Sequence, residues 1–253
     1  MTDRGEWLPG PRYLCRRFLV RALLKELVVK QGSFLEIGGG GSDIALRLCH
    51  EKWQGVVMDV SEQAIQLLKR KCYHSNPELK KFLELVQGDF RQAKGSYDLI
   101  LLFEVLEHLA DDLAALAKIH DLLKPQGELL LSVPSHQKDW GGNDVWAGHI
   151  RRYEKVELTF KLEENHFKIK RFWTYGFPIA NIIEPLKNRV VLKDMNDSLS
   201  LEERTHRSGV ERVYLSPFRF LLNDWVFSPF LLLQKGFLNS DLGNGYLVYA
   251  QRD

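Results

Sequence analysis

Ser33 to Leu48 reads SFLEIGGGGSDIALRL. The run Ser33–Ile37 is mostly apolar and stops at four consecutive glycines, Gly38 to Gly41. Ile44, Ala45, Leu46 and Leu48 then open an apolar helical pattern. The stretch therefore predicts a strand, a tight turn and a helix start. Glycine removes side chains where a ligand presses on backbone, and the first turn of a helix has free N–H groups. Glu36, at the strand end, makes phosphate a poor tenant and favours a ligand with a cationic group or hydroxyls.

Reading outward, Arg12–Lys30 predicts an amphipathic helix, with Leu14, Phe18, Leu19, Ala22, Leu23 and Leu27 at helical spacing. Downstream, Gly55–Asp59, Leu83–Val86, Tyr97–Phe103 and Glu128–Val133 read as further strands. Between them stand helices: one N-capped by Ser61 and running to Cys72, and one from Asp111 to Leu123, stopped by Pro125 and Gly127. A polar, aromatic loop follows Pro134, then a helix over Glu154–Glu164 and strands at Phe167–Tyr175 and Gly245–Gln251. Strands that alternate with helices predict an α/β fold with a doubly wound, mostly parallel seven-stranded sheet. Ligands of such sheets bind beyond the carboxyl ends of the strands. Glu36, Asp59, Asp89 and Glu104 all lie at or just past such ends, and four acids on one rim point to function.

The chain has 253 residues, 45% hydrophobic and 27% charged, with a net charge of +2. That balance is too weak to argue for nucleic acid. The three cysteines, Cys15, Cys49 and Cys72, form no C-x-x-C pair and fit buried thiols in a reducing compartment. MTDRGEWLPGPRYL carries no signal-peptide core, so a cytoplasmic protein is expected. Tyr214–Leu238 is rich in Leu, Phe and Trp, but Arg219, Asp224, Lys235, Pro217 and Pro229 interrupt it. A spanning helix needs about 20 apolar residues in a row. Two short amphipathic helices are expected instead, as core cover, a substrate lid, a dimer face or a membrane-surface contact.

A glycine turn alone also suits nicotinamide and flavin folds. Here Asp43 stands where the dinucleotide fingerprint places its third glycine. Glu36-x-Gly38-x-Gly40 instead resembles motif I of class I S-adenosylmethionine-dependent methyltransferases, with Ser42 at the last glycine position. Asp59, 23 residues after Glu36, then Gly88-Asp89-Phe90, Tyr97-Asp98-Leu99-Ile100 and Leu123-Lys124-Pro125-Gln126-Gly127 continue the resemblance in order over residues 33–175. Glu104-Val105-Leu106-Glu107-His108 is similar to the ubiquinone-biosynthesis O-methyltransferase-like group.

The resemblance implies a Rossmann-like methyltransferase core over residues 33–175. It is flanked by an N-terminal helical cap (1–32), a helical insertion or acceptor lid (176–240) and the last core strand (241–253). S-adenosylmethionine would be held by Glu36, Gly38, Gly39, Gly40, Asp59, Val60, Gly88, Asp89, Phe90 and Glu104. In that assignment Asp59 takes the ribose hydroxyls, Asp89 lies near the adenine amine and Phe90 packs on its ring. Tyr13, with Arg12 and Arg16, is a candidate cap for the methionine carboxylate. S-adenosylhomocysteine would be the product. For the proton of the acceptor, His149 in Gly148-His149-Ile150-Arg151-Arg152-Tyr153 is the first candidate, then His108 and His136. Helical spacing of Glu104, Glu107 and His108 would permit a divalent metal; the reading without a metal is preferred. Trp140, Trp146, Arg152 and Tyr153 are candidates for the acceptor pocket. A small-molecule, sugar or lipid-linked acceptor, methylated most readily at oxygen, is expected, with no nucleic acid partner and a monomer or homodimer. The rivals are a nucleotide-cofactor oxidoreductase and an S-adenosylmethionine-binding protein without catalysis.

Overall fold

The computed structural model describes residues 10–41, 43–74, 76–193, 199–210 and 224–253. The chain opens with α1 (Pro11–Glu26) and β1 (Ser33–Ile37), then α2 (Ile44–His50), β2 (Gln54–Asp59) and α3 (Glu62–Lys69). Next come β3 (Leu83–Gln87), β4 (Tyr97–Phe103), α4 (Asp112–Leu122) and β5 (Leu123–Pro134). The second half holds α5 (Gly142–Ala147), α6 (Lys155–Glu164), β6 (Phe167–Tyr175), α7 (Ile179–Lys193), α8 (Leu201–Val210), α9 (Asp224–Leu233) and β7 (Gly245–Arg252).

All seven strands join one sheet in the order β3-β2-β1-β4-β5-β7-β6. Pairings from β3 to β5 are parallel, and β7 runs antiparallel to both β5 and β6. Both faces are covered, which is why the central strands are largely apolar. Phe34, Leu99, Leu101 and Leu130 face one core, shared with Leu14, Leu19 and Leu23 of α1 and Ile44 and Leu48 of α2. Their chain neighbours Leu35, Ile100, Leu102, Leu129 and Leu131 face the other, shared with Leu116 and Ile119 of α4 and Leu158 and Leu162 of α6. Strand order reverses between β1 and β4, so the crevice where such sheets bind ligands lies past Ile37 and Phe103.

Local chemistry sets several boundaries. Ser61 Oγ accepts from Ala64 N–H at 3.3 Å and starts α3, as the sequence suggested. That helix ends at Lys69 and continues to His74 as a wider π turn. Asp111 caps α4 through Ala114 N–H at 2.9 Å. Pro125 and Gly127 do not stop α4: Leu123 is already extended, and β5 runs from Leu123, longer than expected. The stretch after Pro134, expected as a loop, contains α5. Its N-terminus is closed by Asp144 Oδ2 accepting from Gly141 N–H at 2.8 Å.

Within residues 176–240 most of the described residues are helical. Phe227 and Leu231 of α9 are buried in the core that α1 joins, while Phe230, Leu232 and Leu233 face outward. The first of the two helices expected in Tyr214–Leu238 falls largely on 211–223, outside the described residues. No helix among the described residues is long and apolar enough to cross a membrane.

Candidate cofactor and acceptor site

The glycine turn needs left-handed backbone at Gly38 (φ 71°) and Gly40 (φ 43°). Gly38 N–H donates to Met58 carbonyl at 2.9 Å, which ties the turn to β2. A Cβ on Gly38 would stand 2.4 Å from Val105 Cγ2, so the turn presses on the exit of β4. Glu36 is buried beneath it, 4% exposed. Asp59, at the end of β2, accepts from Gly40 N–H (3.1 Å) with Oδ2 and from Ser61 N–H (2.9 Å) with Oδ1. It shapes the turn as well as facing it. Val60 beside it is 45% exposed. At the end of β3, Asp89 accepts from Arg91 N–H at 2.9 Å and pairs with the Arg91 guanidinium. Gly88 stands in open space. The Phe90 ring is buried in the core with Leu35, Ile37 and Ile100.

Helix α1 lies over this rim and is held at two points. Tyr13 OH (3.2 Å) and Arg17 Nη1 (2.6 Å) donate to Asp43 Oδ2, while Lys71 Nζ reaches Asp43 Oδ1 (2.5 Å) and Gly41 carbonyl (3.0 Å). One acid thus joins α1, the glycine turn and the end of α3. At the second point Glu104 (φ 58°) pairs with Arg12 at 2.7 Å and Arg16 at 3.3 Å. Ser132 Oγ and Tyr175 OH both donate to its Oε1 at 2.8 Å. Burial pushes the Glu104 carboxyl up, but the two guanidiniums and these hydroxyls outweigh it and hold it down at about 2. The carboxylates that Tyr13, Arg12 and Arg16 meet here are the protein's own.

The segment after β4 is a short turn, Leu106–His108, not a continued helix. Glu104 therefore does not share a face with Glu107 and His108. A different trio forms instead: ligand atoms of Glu107, His108 and His149 all lie within 4.8 Å of one another. Glu107 is fully buried, and among the described residues no other residue hydrogen-bonds to either carboxylate oxygen. Burial, then the negative charge of Glu104, pushes its carboxyl well above the usual range. His108 Nδ1 lies 3.0 Å from Gly148 carbonyl and 3.3 Å from Thr205 Oγ1 of α8. Burial, then His149, lowers His108 to about 4.

His149 is held from the other side. Its Nδ1 lies 2.8 Å from Asp144 Oδ1, and its Nε2 is 3.7 Å from Glu107 Oε1. Asp144 is fully buried and takes Arg152 in a two-pronged pair, Nε at 2.9 Å and Nη2 at 2.8 Å. Burial opposes its ionisation, but the bonds from His149 and Arg152 hold its carboxyl far below the usual range. Arg152 is thus an internal counter-ion, not an exposed pocket residue. Tyr153 is buried in the core and donates to Asp112 at 2.9 Å; Trp146 is buried against Val191, and Trp140 is exposed. His136 faces Glu154 and Asp241, outside the trio.

Sequence reading missed Asp144, Ser132, Tyr175 and Lys71. Only Asp144 carried a signal, an acid five residues before a candidate histidine in a polar loop.

Residues 7–171 match a family model described as "Methyltransferase domain". The chain belongs to this methyltransferase-domain family. It is 27% identical over 119 residues to the ubiquinone biosynthesis O-methyltransferase of Escherichia coli O9:H4 (strain HS), covering 47% of this chain and 50% of that protein. The Salmonella paratyphi A enzyme of the same name matches at 27% over 119 residues, 47% of this chain and 49% of the relative. The chain spans about half the length of these curated relatives. Its fold is similar to that of magnesium protoporphyrin IX methyltransferase from Synechocystis PCC 6803, solved with bound SAH (TM-score 0.58, 14% identity, 98% of this chain and 90% of that one). It is equally similar to a [4+2]-cyclase (TM-score 0.60, 15% identity, 100% of this chain and 88% of that one). At these identities the likeness concerns fold alone. The expected fold, a mostly parallel seven-stranded sheet with an N-terminal helix, agrees with these structures and with the strand order above.

Proposed function

We propose that this protein transfers a methyl group from S-adenosylmethionine to an oxygen of a small-molecule, sugar or lipid-linked acceptor. The observation that carries the reading is the switch-point rim. Two left-handed glycines turn the backbone sharply there, with buried Glu36 and Asp59 at the ends of adjacent strands. A turn closed to a Cβ at Gly38 and Gly39 and flanked by acids suits a ligand with an ammonium group and ribose hydroxyls and opposes a pyrophosphate. S-adenosylmethionine has both groups, and it supplies an electrophilic sulfonium methyl that leaves a neutral thioether behind.

With so good a leaving group, the protein's tasks are to align the nucleophile and take its proton. His149 is the base in this reading. Its Nε2 points away from Asp144, toward Glu107 just past β4. The proton of the acceptor hydroxyl passes to Nε2 as the oxygen attacks, and the imidazolium formed lies against ionised Asp144. His108, lowered to about 4, is the weaker base. The acceptor lid in this reading includes α8, whose Thr205 Oγ1 lies 3.3 Å from His108 Nδ1.

A second reading has one observation in its favour. Glu107, His108 and His149 offer a carboxylate and two imidazoles at metal-ligand separations, and the carboxylate has no other partner among the described residues. A divalent ion there would orient and polarise an acceptor hydroxyl. Titration with S-adenosylhomocysteine, NADH and Mg²⁺ or Zn²⁺ separates the readings. Binding of S-adenosylhomocysteine alone supports a metal-free methyltransferase. NADH binding in its place refutes it, and saturable metal binding lost in Glu107→Gln favours the metal.

A further inference from the structure

The strongest arrangement outside the cofactor rim is the buried chain Arg152–Asp144–His149. Asp144 lies on α5, five residues before the histidine, and both of its oxygens are fully used. Oδ1 faces His149 Nδ1 (2.8 Å) and Arg152 Nε (2.9 Å). Oδ2 faces Arg152 Nη2 (2.8 Å) and Gly141 N–H (2.8 Å). The backbone repeats the tie, since His149 N–H donates to Asp144 carbonyl at 3.0 Å. Gly148, between them, is left-handed (φ 77°), and a Cβ there would stand 2.8 Å from Thr205 Oγ1. The loop is therefore fixed from both sides: Asp144 on one, helix α8 on the other.

We infer that Asp144 is a positioning residue: it holds His149 in the Nδ1–H tautomer, so that the Nε2 lone pair is the one presented to the acceptor. An ionised carboxylate only accepts, so the nitrogen facing it must carry the proton. Arg152, whose charge is buried with it, keeps Asp144 ionised and its plane fixed. The opposite tautomer would put an N–H toward Glu107 and leave no lone pair there. The proposal deepens the methyltransferase reading by naming what orients its base. It holds equally if Nε2 serves a metal, because ligating histidines are set by the hydrogen bond on their other nitrogen.

Asp144→Asn tests this without changing the volume of the side chain. Asparagine brings two donors to a place with four donors around it. If its NH₂ takes the Oδ2 place, it faces two fixed donors, Arg152 Nη2 and Gly141 N–H. If it takes the Oδ1 place, it faces one fixed donor, Arg152 Nε, and an imidazole nitrogen that can give up its hydrogen. The second arrangement leaves fewer clashes, and it moves the His149 proton to Nε2. The same logic applies to triads in which the acid sets the tautomer.

The measurement is a long-range ¹H–¹⁵N correlation spectrum of ¹⁵N-histidine-labelled full-length protein, with His149 assigned through His149→Gln. The expected results are an Nδ1–H tautomer in the unmutated protein and an Nε2–H tautomer in Asp144→Asn. Arg152→Met keeps the carboxylate and should keep the Nδ1–H tautomer. An Nε2–H tautomer in the unmutated protein overturns the inference by itself, whatever the stability of the variants. So does an unchanged tautomer in a folded Asp144→Asn. Calorimetry with S-adenosylhomocysteine is run beside it. Lost cofactor binding with an intact tautomer response would sink the methyltransferase reading and leave this inference standing.

Discussion

Replacing Glu104 by glutamine should loosen α1 from the sheet while leaving the shape of the site intact. Glu104 sits at the end of β4 with Arg12 and Arg16 from α1 against it and Ser132 and Tyr175 donating to it. Its side chain is 21% exposed, so solvent screens the cluster only partly. A carboxyl brought from 4.5 to about 2 is a stabilisation of roughly 3 kcal/mol near pH 7, at ~1.4 kcal/mol per unit. Glutamine still accepts from the two hydroxyls, but both guanidiniums lose their counter-charge. The expected loss is ~2–3 kcal/mol, or about 5–10 °C in Tm for a chain of this size. The folded-state pKa lies below the unfolded one. The stabilisation is therefore fully present above about 4.5 and is lost as pH falls through about 2. Urea unfolding of both proteins at several pH values should show a gap that is widest near neutrality and narrows below about 4.5. Hydrogen exchange should quicken in α1. Equal midpoints near neutrality, or a gap that does not change with pH, would refute the ion-pair argument.

Other expectations follow from single contacts. His108 is lowered from 6.5 to about 4, so the unfolded chain binds more protons in that window and stability should rise with pH across it. Relative to His108→Gln, the protein should lose on the order of 2–3 kcal/mol between about pH 6.5 and 4, and parallel urea-denaturation curves would show His108 to be unperturbed. Gly38→Ala forces a left-handed alanine (about 1–2 kcal/mol) and drives its Cβ into Val105, so S-adenosylhomocysteine affinity should fall more than tenfold and recover in part with Val105→Ala added. Asp144→Ala leaves the buried Arg152 charge unpaired and should cost about 3–5 kcal/mol in urea unfolding, much of it regained in Asp144→Ala/Arg152→Met. Asp59→Ala should weaken S-adenosylhomocysteine binding more than tenfold, from two lost hydroxyl contacts at roughly 1–3 kcal/mol together; an unchanged dissociation constant would show the acid to be misassigned.

The fold was legible because its signals are local and repeated. Runs such as Leu99–Phe103 are apolar throughout, as strands buried on both faces must be, and Gly38–Gly41 marks the switch-point turn. What escaped was decided by contacts distant in sequence. Pro125 and Gly127 read as breakers, yet Leu123 pairs with Tyr97 and the strand accommodates both. Helix α5 has only six residues, two of them Gly142 and Asn143, and forms because Asp144 closes its start and Arg152 fixes Asp144. The Glu104–Glu107–His108 face assumed a helix where the chain makes a short turn. Glu104 then turned to arginines 88 and 92 residues away, and His149, 41 residues beyond His108, took its place beside Glu107. Ser132 and Tyr175 gave no signal at all, being ordinary strand residues until the sheet brings them to one carboxylate.

Isothermal titration calorimetry of the full chain with S-adenosylhomocysteine tests the central claim most directly. The account predicts saturable binding at one site per chain, with no competing heat from NADH. Absence of heat at millimolar S-adenosylhomocysteine, or NADH binding in its place, would contradict it.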